Sequence, residues 1–93
     1  MIKSFADAET ETLWLTGRSP RIPTSICKTA LKKPRILHRA RNLTDLKAPP
    51  GNRLELLRGE RSGQHSIRIN DQFRICFVWA EGDAYEVEIV DYH

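Results

Sequence analysis

The sequence predicts an α+β domain in the order β-α-α-β-β-β-β, a twisted antiparallel sheet with two N-terminal helices packed on one face. Three observations carry that expectation. Apolar residues keep a helical spacing through the first half of the chain and change to a period of two from Arg53 onward. The later apolar runs are joined by turns of three to five residues, short enough to make consecutive strands antiparallel neighbours. Ninety-three residues, 40% hydrophobic and with two tryptophans, supply one small core and hence one domain over residues 1–93. Helices covering one face of such a sheet complete the two layers.

Each element has its own local reason. Ile2 to Phe5 can form a short opening strand. Asp7 is a natural N-cap for a helix through Glu9, Glu11, Leu13 and Trp14, whose acids sit where the helix dipole favours them, and Gly17 suits its C-terminal stop. Arg18-Ser19-Pro20-Arg21-Ile22-Pro23 reads as a turn stiffened by two prolines. Thr24 or Ser25 then caps a second helix, with Ile26, Ala30 and Leu37 close to one face and Cys27, Leu31 and Pro34 beside them. Pro34 lacks an N–H and crowds the preceding turn, at a cost of about 3 kcal/mol, so a kink near residues 30–34 or two shorter helices are expected. Leu43 to Leu46 adds a further helical turn, and Ala48-Pro49-Pro50-Gly51-Asn52 ends helical character.

The strands follow. Leu54 to Leu57 is the first, and Gly59 to Gly63 is a glycine-flanked turn. His65, Ile67 and Ile69 then alternate with Ser66 and Arg68. Asn70-Asp71-Gln72 turns the chain back into Phe73, Ile75, Phe77 and Trp79, which alternate with Arg74, Cys76 and Val78. Glu81-Gly82-Asp83 is a hairpin turn, and the last strand runs through Tyr85 to Val90 into Asp91-Tyr92-His93.

The net charge of +3 hides a strong asymmetry. Residues 17–61 hold twelve Lys or Arg against Asp45, Glu55 and Glu60, a local balance of +9, whereas residues 62–93 balance at −4. Such a division points to a polyanion-facing side, nucleic acid first, although a solvated helix face accounts for the charge run equally well. No apolar run is long enough to span a bilayer, and Met1-Ile2-Lys3-Ser4-Phe5 leads directly into polar sequence instead of a signal peptide. A cytoplasmic setting is expected, in which Cys27 and Cys76 are packing residues and not a disulfide. His38, His65 and His93 share no ligand spacing with each other or with the cysteines, and no glycine loop cradles a phosphate, so neither metal nor cofactor is expected.

The remaining chemistry is a set of polar groups that antiparallel strands can bring to one surface: Glu55, Arg58, Arg74 and the terminal Asp91, Tyr92 and His93. Cutting RNA through its own 2′-hydroxyl needs a base, an acid for the leaving oxygen and positive charge on the scissile phosphate. Imidazole titrates near neutrality, guanidinium grips phosphate in a fork, and a tyrosine ring stacks on a base. Each residue also has a plainer role. Arg74 can pair with Glu86 or Glu88 on the strand surface, Arg58 can serve the turn, Glu55 can be solvated, and His65 reads as packed against the core.

Several blocks of the sequence resemble one family: the Met-Ile-Lys-Ser-Phe opening, Pro49-Pro50-Gly51-Asn52-Arg53-Leu54-Glu55, Leu57-Arg58-Gly59, Gly63 to Asn70, Arg74-Ile75-Cys76-Phe77 and Val87 to His93. Together they resemble the HigB toxins, the "killer protein" branch of the RelE/ParE superfamily in bacterial type II toxin–antitoxin systems. The resemblance implies a compact RelE-like fold and a metal-independent endoribonuclease that cuts mRNA on the ribosome. It implies inhibition by a HigA-type antitoxin with a helix-turn-helix domain, which alone would reach operator DNA, and no membrane partner. Carried over by position, Asp91, Tyr92 and His93 match the catalytic tail, Arg74 the strand arginine and Arg58 a phosphate-contacting basic residue. Glu55 stands where some relatives have a histidine, and Pro34 interrupts their long second helix. The resemblance also gives Lys28, Lys32, Lys33, Arg35, Arg39, Arg41 and Arg53 a task, contact with ribosomal RNA phosphates. The alternative within the superfamily is a member that acts by binding alone: a gyrase poison, or an inactive antitoxin- or RNA-binding protein.

Overall fold

The structure, a computed structural model, describes residues 1–91. Tyr92 and His93, two members of the expected catalytic tail, lie outside the described residues. Helix α1 spans Ala8–Thr16 and is closed at both ends as its sequence requires. The Asp7 carboxylate accepts from the Thr10 N–H at 3.1 Å, and Gly17, at φ 82°, returns its N–H to the Leu13 carbonyl at 2.8 Å.

Helix α2 spans Thr24–Arg39, and here two expectations are corrected. Its N-cap is Pro23, with no side-chain cap from Thr24 or Ser25: the ring-fixed φ of −53° turns the chain one residue earlier, and the Pro23 carbonyl takes the Ile26 N–H at 3.0 Å. Nor does Pro34 divide the helix in two. The ring is buried on the apolar face with Cys27, Ala30 and Leu37, and that packing offsets the one backbone bond it forgoes. A capped 3-10 helix, Leu43–Lys47, follows as expected. The Pro49-Pro50 segment, expected to end helical character, instead holds a further short 3-10 turn, Pro50–Asn52, with Pro50 at its start.

Four strands form one antiparallel sheet in sequence order: β1, Glu55–Leu56; β2, His65–Arg68; β3, Phe73–Ala80; β4, Asp83–Asp91. The short opening strand becomes two parallel bridges along the outer side of β4, Ile2 to Ala84 and Phe5 to Val87. A continuous ladder is prevented by a bulge in β4. The register against β3 shifts between Cys76 and Val78, and Glu86 sits at φ 51°, its N–H taken by the Ser4 hydroxyl at 2.8 Å. Farther along the same edge, the Ile89 N–H reaches the Thr10 hydroxyl at 3.0 Å, and Arg21 bonds the Ile89 carbonyl while pairing with Asp7 at 2.9 Å.

The core lies between the helices and one pleat of the sheet. Leu13, Ala30, Leu37 and Leu46 meet Ile67, Ile75, Phe77, Val87 and Ile89, and all are essentially shielded from solvent. Each of these side chains larger than alanine contributes roughly 1.5–3 kcal/mol of transfer free energy. His65, paired opposite Phe77, belongs to this pleat. Its ring stacks on Phe77 with centroids 6.2 Å apart, as expected of a packed residue. His38 also sits on the helix side, near Trp14 at 5.2 Å, and accepts the Ile2 N–H on Nδ1 at 3.1 Å. No helix among the described residues is long and apolar enough to cross a membrane.

Candidate active site

Side chains alternate across a strand, so the residues between the core positions project from the face turned away from the helices. On β2 and β3 these are Ser66, Arg68, Arg74 and Cys76, and the register sets Glu55 opposite Ser66 and Glu88 opposite Cys76. A polar set therefore gathers on that face. Its centre is Arg74, 8% exposed. The Arg74 Nε donates to the Ser66 hydroxyl at 2.9 Å, and an Nη donates to the Arg53 carbonyl at 2.7 Å. The Glu55 carboxylate stands 3.8 Å from the same guanidinium, an ion pair by distance and too long for a hydrogen bond. This differs from the plain reading in which Arg74 pairs with Glu86 or Glu88. Glu88 is instead bonded by Arg61 at 3.1 Å, and Arg61 also donates to Gln64 at 3.2 Å.

Beneath these groups lies the Cys76 thiol. Burial pushes it above its ordinary range; Arg61 and Arg74 pull it down while Glu88 adds to the rise. A fully buried thiol held in the protonated form is a packing group and not a nucleophile, as expected from the sequence. Cys27 is likewise buried and free.

The other expected site residues fall in distinct places. Arg58 is exposed at the N-cap of a 3-10 turn, Gly59–Arg61, at the end of the segment leading from Glu55. Asp91 pairs with Phe73 while Arg74 pairs with Val90, so Asp91 projects from the pleat opposite to Arg74. Its carboxylate accepts from the Gln72 amide at 3.1 Å. Glu55 and Arg74 are thus brought together, whereas Asp91 is not on their face. Tyr92 and His93, also expected in the site, lie outside the described residues.

Among the basic residues, Lys28, Lys32, Arg35 and Arg39 form an exposed row along α2 at spacings of four, three and four, and Arg41 and Arg53 are exposed beyond it. Lys33 is different. It is half-buried, bonds the Asn52 side chain, and its ammonium is pushed below the ordinary lysine range by burial, with Arg68 and Lys32 adding repulsion. It is a cation tethered to the Pro50–Asn52 turn and not part of the solvent-facing row.

Sequence reasoning missed Ser66, Arg61 and Asn52. Ser66 carried a signal, because the short Asn70-Asp71-Gln72 turn fixes a register that sets it on the pleat of Arg74. The roles of Arg61 and Asn52 depend on the paths of the loops between strands, for which no periodicity exists. Among the described residues no group of three or more His, Cys, Asp or Glu is placed to hold a metal ion. What the face can do is hold one dehydrated, rigidly oriented guanidinium beside an exposed carboxylate, the arrangement that binds a phosphate and accepts a proton next to it.

A family model described as the RelE-like toxin of the type II toxin–antitoxin system HigB matches residues 3–93. Toxin HigB-1 of Vibrio cholerae serotype O1 is 40% identical over 85 residues, covering 90% of each chain. An uncharacterized protein of Haemophilus influenzae is 32% identical over 63 residues, 68% of this chain and 62% of its own. Among solved structures, a chain of the YoeB-YefM complex from Staphylococcus aureus superposes with a TM-score of 0.61 at 13% identity, over 100% of this chain and 98% of that one, a likeness of fold.

Proposed function

The chain belongs to the HigB-like toxins, RelE-like members of type II toxin–antitoxin systems, and from that premise we propose that it is a metal-independent endoribonuclease that cuts mRNA on the ribosome. The observation that carries the reading is the Arg74 guanidinium, dehydrated and aimed by Ser66 and the Arg53 carbonyl, with the Glu55 carboxylate at 3.8 Å. A cation whose orientation is fixed before the substrate arrives stabilises the developing charge on a scissile phosphate without reorganising. In this reading Arg74 and Arg58 bear on that phosphate, and Glu55 is a proton acceptor for the attacking 2′-hydroxyl. His93 serves as acid or base, Tyr92 stacks on a nucleotide, and Asp91, on the opposite pleat from Arg74, orients the tail without touching the phosphate.

The exposed α2 row of Lys28, Lys32, Arg35 and Arg39, with Arg41 and Arg53, docks on ribosomal RNA through phosphate contacts. The protein works in the cytoplasm, and a HigA-type helix-turn-helix antitoxin neutralises it and carries the complex to operator DNA. The test is expression of wild type, Arg74→Ala and a variant lacking His93, with growth and transcript ends followed together. Growth arrest with cut messages is expected from wild type alone. Full toxicity of a folded variant would remove these residues from the mechanism. Arrest with intact transcripts and inhibited supercoiling would move the protein to the binding-only reading.

A further inference from the structure

Arg74 takes its aim from a backbone atom, so the question becomes what holds that atom. The Arg53 carbonyl belongs to a residue in the left-handed region, φ 46° and ψ 59°, which closes the Pro50–Asn52 turn through its N–H to Pro50. The left-handed region is uncommon for a residue with a side chain and persists where surrounding contacts over-determine it. The contact here is Asn52, fully buried. Its side-chain amide donates to the Leu46 carbonyl at 3.2 Å and the Ala48 carbonyl at 3.1 Å, its oxygen accepts from Lys33, and its own N–H bonds the Pro49 carbonyl at 2.9 Å. Every hydrogen-bonding atom of that amide is thereby engaged by a different part of the chain: α2, the 3-10 helix after it, and the proline turn.

We propose that Asn52 is a positioning residue for Arg74: tethered by Lys33, it fixes the proline turn so that the Arg53 carbonyl holds the guanidinium in its phosphate-binding orientation. The inference rests on the reading of Arg74 as the phosphate group's partner. Lys33 is therefore an internal strut, although it belongs to the same basic segment as the RNA-facing row. A buried, fully satisfied amide is a high-stakes element, since loss of one partner leaves several buried groups unpaired.

The test separates backbone geometry from side-chain charge. Arg53→Gly and Arg53→Val both remove the guanidinium of residue 53, but glycine accepts the left-handed conformation and a β-branched residue resists it. Hydrogen exchange at the Arg74 Nη–H that donates to the Arg53 carbonyl, identified by its loss in Arg74→Lys, is read in the free toxin by NMR. Steady-state cleavage is read alongside. Exchange is expected to match wild type in Arg53→Gly. It should accelerate about tenfold, the weight of one hydrogen bond, in Arg53→Val and in Asn52→Ser. Arg53→Gly and Arg53→Val lose the same docking charge and should share one KM, raised above wild type, while kcat falls further in the valine variant than in the glycine variant. Arg74 exchange unchanged from wild type in Arg53→Val overturns the proposal, and that pair decides the matter even where Asn52→Ser does not fold. Altered exchange together with a wild-type protein that cuts nothing upholds the positioning role and overturns the nuclease reading.

Discussion

Ile67, Ile75 and Phe77 on the helix side of the sheet, and Ser66, Arg74 and Cys76 on its other side, alternate along the same two strands, and all six are at least nine-tenths buried. The means differ. On the helix side burial is apolar and non-directional, so its stabilisation follows area and packing. On the other side burial dehydrates a guanidinium and a hydroxyl, and each is satisfied by a named partner at 2.7–2.9 Å. Equal burial therefore serves unequal ends. One pleat holds the domain together, and the other holds a charge in a fixed direction.

The comparison is broken most severely by Phe77→Ala, which empties the centre of the apolar pleat. A loss of about 3–5 kcal/mol is expected in denaturant melts, enough to unfold much of so small a domain. Arg74→Met comes next and acts the other way. It leaves Ser66 and the Arg53 carbonyl without their donor, costing about 1–3 kcal/mol, while abolishing toxicity in a protein that still folds. If Arg74→Met proved as damaging to stability as Phe77→Ala, the division of labour between the two faces would be wrong. Ile75→Val removes one methylene from the packed side. It is expected to cost about 0.5–1.5 kcal/mol by thermal melting and to leave toxicity unchanged.

The smallest effect is one of pH. His65 stacks on Phe77 with its Nδ1 buried and without a hydrogen-bond partner among the described residues, and burial pushes its imidazole below the ordinary histidine value. The fold thus favours the neutral ring, and the unfolded chain takes up the proton first as pH falls. The associated stability is complete above about pH 6.5 and declines as pH drops below it toward the folded value. His65→Phe should flatten that decline in a series of melts across the acid range, and an unchanged pH profile would show the ring to be solvated.

Much of the fold was legible because its signals are local. Asp7 and Gly17 announced both ends of α1, the period-two runs gave β2, β3 and β4, and the polar spacing of His65 against Ile67 and Ile69 identified a packed ring. The failures have physical causes. Pro34 does not split α2 because its ring is buried on the apolar face of one continuous helix, and Pro23 outcompeted the hydroxyls expected to cap α2. The bulge at Glu86 has no sequence signature of its own, yet it shifts the parity of β4: Tyr85 and Glu88 come to share a face although three positions separate them. Simple alternation along that strand therefore misplaces one end. Of the candidate site, Arg74 and Glu55 were legible as strand residues. Asn52 was not, because a buried amide bonding two loop carbonyls depends on contacts that no spacing records. Lys33 was grouped with the basic row for the same reason, its charge being visible in the sequence and its tether not.

The most direct measurement is end mapping of a single defined message incubated with ribosomes translating it, in the presence of purified wild-type protein or Arg74→Lys. Lysine keeps the charge but loses the fork that Ser66 and the Arg53 carbonyl orient. The expected result is discrete cuts within the translated region from wild type and none above background from Arg74→Lys. Cuts of undiminished yield from the lysine variant, or an intact message under wild-type protein, would contradict the assignment of Arg74 as the aimed phosphate-binding group of an mRNA-cleaving toxin.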